Sequence, residues 1–322
     1  MKIKRLESPS DTFDIHFPTG KQFDFVGFGT NSVDHICVVP VYPAPESKTR
    51  VLRYEKLPGG QVATATAFLS HMGLRTKYVG KIGGDELGRF CMESFESGQV
   101  DTTSVRIDES VRNQYAFIII DAKSGERTVL SGRDPGLDFR DSELDRNAIC
   151  AGRMLHLDGY DSGSVCAATW CREAQIPVSI DLDAAVPYCR ELIGNIDFLI
   201  VSSNFPSEYT GFSDPSQAFE ALRRSYDGFF AVTLGASGAM TWIKGRRVTF
   251  PALKIDAVDT TGAGDIFHAG FIYGLLQNWP LEKIMRFANA AAGLSCMHLG
   301  ARSGIRPLSE ILQHAETLRQ AS

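Results

Sequence analysis

The chain has 322 residues, 43% hydrophobic and 22% charged, with a formal net charge of −5; this is a globular composition without the basic field that nucleic acid or an anionic membrane would need. No apolar run is long enough for a membrane span, and no leader pattern opens the chain, so export is not expected. Its seven Cys, odd in number and without CxxC spacing, suit reduced core thiols in a cytoplasmic protein.

Residues 1–20 mix charge, Ser, Pro and Gly without a period and read as an extension before one domain over 21–322. Phe23–Gly29 is a short apolar run ending in Gly, as buried parallel strands do. Ile36–Val41 and Thr49–Leu57 alternate and are broken by Pro40, Pro43 and Pro45, the texture of a small exposed sheet. Gly59–Gly73 is a helix of small residues. Tyr115–Asp121 and Arg127–Ser131 flank a polar turn and predict a hairpin of the same small sheet. The two insertions, about 36–57 and 111–133, would form a β lid, and its half-apolar open face suits a homodimer. Met154–Leu157, Val178–Asp181, Phe198–Val201 and Phe230–Leu234 then alternate with helical stretches, which is the pattern of a parallel sheet covered on both faces. Helices are expected at Ile266–Gln277, Leu281–Cys296 and Leu308–Arg319.

Residues 256–271, DAVDTTGAGDIFHAGF, carry the strongest chemical signal, a Gly/Thr-rich turn opening directly into an apolar helix. Gly262, Ala263 and Gly264 present little side chain, so an anion can reach their N–H groups beside the positive end of the helix. A carboxylate at Asp265 is either a helix-dipole partner or a base for a hydroxyl that attacks phosphorus.

With its flanks, this segment carries a family resemblance. Asp259-Thr260-Thr261-Gly262-Ala263-Gly264-Asp265 resembles the C-terminal signature of the ribokinase-like (PfkB) carbohydrate kinases, and Gly59-Gly60 with Ala63, Thr64, Ala67 and Gly73 resembles the N-terminal one. Gly80–Gly88 is similar to the family's G-x-Ile/Val-G-x-D-x-x-G. The resemblance implies a three-layer α/β/α sandwich with a central, mostly parallel sheet and a small β lid. It also implies an ATP-dependent sugar kinase that uses Mg2+ and transfers the γ-phosphoryl group to a hydroxyl of a small carbohydrate. Val258–His268, Thr64 and Gly300–Gly304 look most like sulfofructose kinases, while 204–208 and His156–Ser162 look like ketohexokinases, so a ketose is preferred. A nucleoside kinase of the same family, or an inactive sugar-binding regulator, are the alternatives; retention of Asp265 speaks against the regulator.

Ligands of open α/β sheets collect at the carboxyl ends of the strands, where Asp34, Asp158, Asp181, Asp183, Asn204 and Gly235 fall. Asp34 resembles the family aspartate that binds sugar hydroxyls, its alternative being a turn cap. Gly59 and Gly60 would let substrate lie on bare backbone, or form a plain helix-entry turn. Thr64 stands where many ribokinases place an asparagine and offers one hydroxyl in its place. Arg133 and Gly159-Tyr160-Asp161 are further substrate candidates. Thr233, Gly235 and Gly238 resemble the nucleotide segment T-x-G-x-x-G, and Asn289 the residue near adenine; a glycine turn and a back-bonded helical Asn are the alternatives. Family members commonly read N-x-x-E where this chain has Asn204 with Ser207, and Glu208 one residue later, so Glu208 is the Mg2+ candidate. Asp259, Thr261 and the loop Leu299–Gly304 resemble a monovalent-cation site that would take K+, the alternative being a bare turn.

Overall fold

The computed structural model describes residues 6–318 apart from Gly125, Tyr160 and the Ser97 side chain, so Tyr160 and the expected end of the last helix at Arg319 lie outside the described residues. The chain enters the central sheet at β1 (Phe25–Phe28), whose four residues are all buried, as in a strand covered on both faces. It leaves at once for a second sheet, β2 (Ser32–Val39) and β3 (Arg53–Gly59), paired antiparallel from Ser32↔Gly59 to Val38↔Arg53. Helix α1 (Gln61–His71) returns to the body, and β4 (Thr76–Val79) pairs parallel with β1. A short parallel pair, β5 (Lys81–Gly83) and β6 (Arg106–Asp108), brackets α2 (Glu86–Glu93). The hairpin β7 (Tyr115–Asp121) and β8 (Arg127–Gly132) completes a four-stranded sheet in the order β3-β2-β7-β8.

Regular alternation follows: α3 (Arg146–Ile149), β9 (Leu155–Leu157), α4 (Gly163–Glu173), β10 (Val178–Leu182), α5 (Cys189–Ile193), β11 (Phe198–Ser202), α6 (Phe205–Thr210), α7 (Pro215–Ser225) and β12 (Phe229–Thr233). The hairpin β13 (Ala239–Ile243) and β14 (Arg246–Phe250) precedes α8 (Ala263–Leu276), α9 (Leu281–Ser295) and α10 (Leu308–Thr317). The central sheet runs β14-β13-β12-β11-β10-β9-β1-β4, parallel from β12 to β4. Helices α1, α8, α9 and α10 bury one face through Phe68, Phe271, Phe287 and Ile311, while α4 to α7 bury the other through Ala168, Leu192, Phe205 and Leu222. The three layers match the expected fold. Among the described residues, no helix is long and apolar enough to cross a membrane.

Three features depart from the sequence reading. Strand β2 begins at Ser32 rather than Ile36, so Asp34 lies within a strand; its polar start is buried, which hides it from an apolarity pattern. The β13–β14 hairpin turns on Lys244 and Gly245 at φ 51° and 74°, a primed geometry without the usual Asn-Gly signature. Residues before β1 do not trail away. Thr12 bridges Pro280, and Phe13 inserts edge-on between Phe198, Phe229 and Phe271, with centroids 5.1–6.1 Å apart.

Candidate active site

From β1 the chain reaches β4 on one side and β9 on the other, which opens a crevice at the carboxyl ends of the strands. There Asp158 accepts two 2.7 Å hydrogen bonds from Thr30, one from its amide and one from its hydroxyl. Gly29 permits this approach, because a Cβ there would lie 2.5 Å from the carboxylate. Asp158 therefore fixes the turn that launches β2. That turn delivers Asp34, 5% exposed, to which Ser32 donates at 3.3 Å. Burial pushes its carboxyl up to about 6, against the pull of Ser32 and Arg302 and with help from the charge of Asp259. A Cβ on Gly59 would stand 2.2 Å from Asp34 Oδ2, so only glycine lets β3 pass; Gly60 follows at φ 88° as the cap of α1.

Arg302 unites this wall. Its guanidinium donates to Gly59 O at 2.6 Å, Ser94 Oγ at 2.9 Å, Asn31 Oδ1 at 3.1 Å and Thr64 Oγ1 at 3.4 Å, and lies 5.1 Å over the Phe95 ring. Thr64 is fully buried. Its hydroxyl accepts from Arg302, so Thr64 braces the guanidinium of this wall.

The opposite wall is the loop into α8. Gly262 caps the helix at φ 76°, pressed so closely on Ala301 that a Cβ would fall 2.3 Å from the Ala301 methyl. Gly264 differs: nothing lies within 4 Å of where its Cβ would stand. The Ala263 amide turns back to Thr260 O at 3.3 Å, which leaves Gly264 and Asp265 to present the unpaired first-turn amides. Asp259 is buried and holds the loop in shape, accepting from Thr261 N (2.9 Å), Thr261 Oγ1 (2.7 Å) and Gly300 N (2.8 Å). From the second sheet, Arg127 donates to Thr260 Oγ1.

Carboxylates crowd the floor. Asp265 is half-buried, and its carboxyl is pushed well up by loss of water and by the charges of Asp181, Asp183 and Asp34, with Arg302 in opposition. Asp181 pairs with His268 Nε2 at 3.1 Å; burial would raise its carboxyl, but His268 outweighs that and holds it down. Asp183 accepts from Gln61 Nε2 at 3.0 Å and opens to solvent on one side; the packing behind it and the charge of Asp181 lift it to about 7. Among the described residues, no three His, Cys, Asp or Glu side chains gather closely enough to hold a metal ion directly. Crowded hard oxygens that raise one another's pKa fit a hydrated Mg2+ carried in by a nucleotide.

The nucleotide candidates line the ends of β11 and β12. Gly235, φ 56°, faces open space in a tight turn, whereas Gly238 is required by packing, since a Cβ would meet Phe250 O at 2.0 Å. Thr233 bonds to Val201 O at 3.4 Å, and Asn289 is buried with Nδ2 donating to Phe250 O at 3.0 Å, so Asn289 anchors the end of β14. Asn204 is exposed at the head of α6, and Glu208 accepts from Ala185 N at 3.2 Å, where it steadies the loop after β10.

Residues 24–307 match the family model described as pfkB family carbohydrate kinase. The chain belongs to that family. It is 27% identical over 299 residues to a ribokinase of Haemophilus influenzae, covering 89% of this chain and 97% of the relative. A nucleoside kinase of Methanothermobacter thermautotrophicus is 27% identical over 306 residues, covering 90% and 94%. The fold superposes on Arabidopsis thaliana ribokinase complexed with ribose and ATP with a TM-score of 0.76 at 22% identity, covering 91% of this chain and 99% of that one.

Within this PfkB carbohydrate kinase, sequence reasoning found the two glycine walls and Asp265 but missed what links them. Arg302 lies in the quoted stretch Gly300–Gly304, yet no spacing shows that it reaches Asn31, Gly59, Thr64 and Ser94. Arg127 and Gln61 escaped for the same reason, because their partners lie 133 and 122 residues away.

Proposed function

We propose that this carbohydrate kinase transfers the γ-phosphoryl group of ATP to a hydroxyl of a small sugar, a ketose in first place, with Asp265 as general base. The observation that carries this is the head of α8, where a carboxylate with raised basicity stands beside first-turn amides and a glycine facing open space. A substrate hydroxyl held by Asp34 against Gly59 and Gly60 gives its proton to Asp265 as it attacks phosphorus. The amides of Gly264 and Asp265, set before substrate arrives, hold the charge that develops on the phosphoryl oxygens. Mg2+ brought on the nucleotide would supply neutralisation of phosphate charge, and Asp183 and Asp181 are the carboxylates that would hold it through water. A K+ ion would rest on the carbonyls of the two loops that Asp259 ties together. Gly235 and Thr233 would receive the nucleotide.

The four-stranded sheet serves as lid. Its inner face packs Ile36, Ile118 and Ile120 on Leu299, and Arg127 reaches the anion loop. Its outer face is apolar and aromatic, with His35 stacked 5.0 Å from Phe117 and 6.1 Å from Tyr54, and it suits a second copy of the chain.

The test is ADP release by the purified protein across ketoses, aldoses, sugar acids and sulfonates, and nucleosides. A ketose should be fastest. Faster turnover of a nucleoside would favour the nucleoside-kinase reading, supported by the archaeal relative, and ADP release with none of them would sink both.

A further inference from the structure

Far from the cleft, Cys150 caps the C-terminus of α3 and Cys171 occupies the last turn of α4, with their sulfurs 3.8 Å apart. Cys171 is fully buried, packed in the layer that covers β9 and β10, and its Sγ also lies 3.8 Å from Ile149 O. Cys150 is only half-buried. Two cations attend it. Lys21 Nζ donates to the Cys150 carbonyl at 2.8 Å, and Arg146 stands one turn back on α3, paired with Glu173 at 2.8 Å.

We propose that Cys150 and Cys171 are a peroxide-sensitive dithiol, in which Cys150 is attacked first and Cys171 resolves it to a reversible disulfide. Two other half-buried cysteines sharpen the assignment. Cys37 and Cys166 are pushed up by burial, whereas Cys150 is held down to about 7, first by the Cys171 thiol and then by Arg146 and Lys21. In the first step the Cys150 thiolate displaces hydroxide from a hydroperoxide, here H2O2, and becomes a sulfenic acid. In the second step the Cys171 sulfur attacks that sulfenic sulfur; its thiol proton and the departing hydroxyl leave as water. One peroxide is thus reduced and two thiols are oxidised. The sulfurs, 3.8 Å apart, must close to about 2.05 Å. The bond would enclose β9 and Asp158, and so staple the unit that braces the turn into β2.

The experiment uses the full chain and needs no sugar. Treat the native protein with one equivalent of H2O2, block remaining thiols with iodoacetamide, digest with trypsin and identify linked peptides by mass spectrometry. Cleavage after Arg146, Arg153 and Arg172 separates Cys150 from Cys171, and Cys166→Ser removes the one other thiol on the 154–172 peptide. The expected result is a Cys150–Cys171 link as the main oxidised product, opened by dithiothreitol and lost in Cys171→Ala. Before oxidation, Cys150 should alkylate roughly tenfold faster than Cys166 at pH 7. Overoxidation of Cys150 without a link, a link to Cys166 instead, or equal alkylation of Cys150 and Cys166 would each overturn the proposal; all are read in the unmutated chain.

Discussion

At the head of α8 the groups that face the cleft are mostly backbone. Gly264 has open space where a side chain would stand, and its amide is unpaired by its position in the first turn. The wall proposed to take the sugar is the reverse: Asn31, Thr64 and the Gly59 carbonyl are already bound to Arg302, and Gly59 is jammed against Asp34. One wall is an open surface prepared for charge; the other is a cross-linked frame that leaves Asp34 as its principal free acceptor. The phosphate end should therefore fail through chemistry and the sugar end through geometry.

The largest expected effect tests the chemistry. Asp265→Asn should lower kcat by at least ~10²-fold with nucleotide affinity kept, because the lost function is proton acceptance. In the unmutated enzyme the raised carboxyl must be ionised to act, so activity should rise with pH through an apparent pKa above the ordinary carboxylate range. An acid limb at the ordinary value, or an active Asn variant, removes Asp265 as base.

Next comes a pair of glycines. Gly264→Val should fold normally and yet lose activity about tenfold or more, since its side chain enters the empty space proposed for phosphate. Gly262→Val should unfold more readily, by about 1–3 kcal/mol, because φ 76° and the Ala301 contact both forbid it. Thermal melts alongside ADP release separate the two; equal stability losses would erase the distinction drawn between these two glycines.

At the sugar end, Arg302→Met should raise the KM for the sugar found in the ADP-release screen by about tenfold while nucleotide KM stays within about twofold, as the acceptors it leaves cost ~1–3 kcal/mol each. Arg302→Lys should recover part of the loss. A uniform fall in kcat with both KM values unchanged would mean that Arg302 only stabilises the fold.

The smallest effect concerns pH and stability. Folding raises the Asp34 carboxyl from 3.8 to about 6, so the folded state binds this proton more tightly than the unfolded chain does. Its charge thus lowers stability progressively from pH 4 to above 6. Asp34→Asn should raise the melting temperature by about 4 °C at pH 8 and leave it unchanged near pH 4. A fall at pH 8 would show that the ionised Asp34 is already paid for by Arg302.

The phosphate wall was legible because backbone chemistry is written locally: Gly262, Gly264 and Asp265 are adjacent, and their helix follows directly. Five of the parallel strands were legible for a like reason, since a short buried apolar run announces itself, whereas β4, which begins Thr76-Lys77, was not. The sugar wall was not. Thr64 pointed to a substrate contact because its partner, Arg302, lies 238 residues on, and no single sequence reveals a pairing at that distance. Cys150 and Cys171 gave no motif either, since their spacing of 21 has meaning only once α3 and α4 pack. Nor does one sequence show that Asn289 donates to Phe250 O, or that a side chain at Gly238 would strike that same carbonyl.

The seat of Phe13 has a consequence for how the protein is made. Its three aromatic neighbours, Phe198, Phe229 and Phe271, belong to strands and a helix synthesised far later, the last roughly 250 residues on, or some tens of seconds at ribosomal speed. The central pairing of β1 with β9 must likewise wait for the middle of the chain. The first residues to emerge are therefore among the last to find their place, and this enzyme should depend on protection of its nascent N-terminal half more than a protein of the same size built from local hairpins.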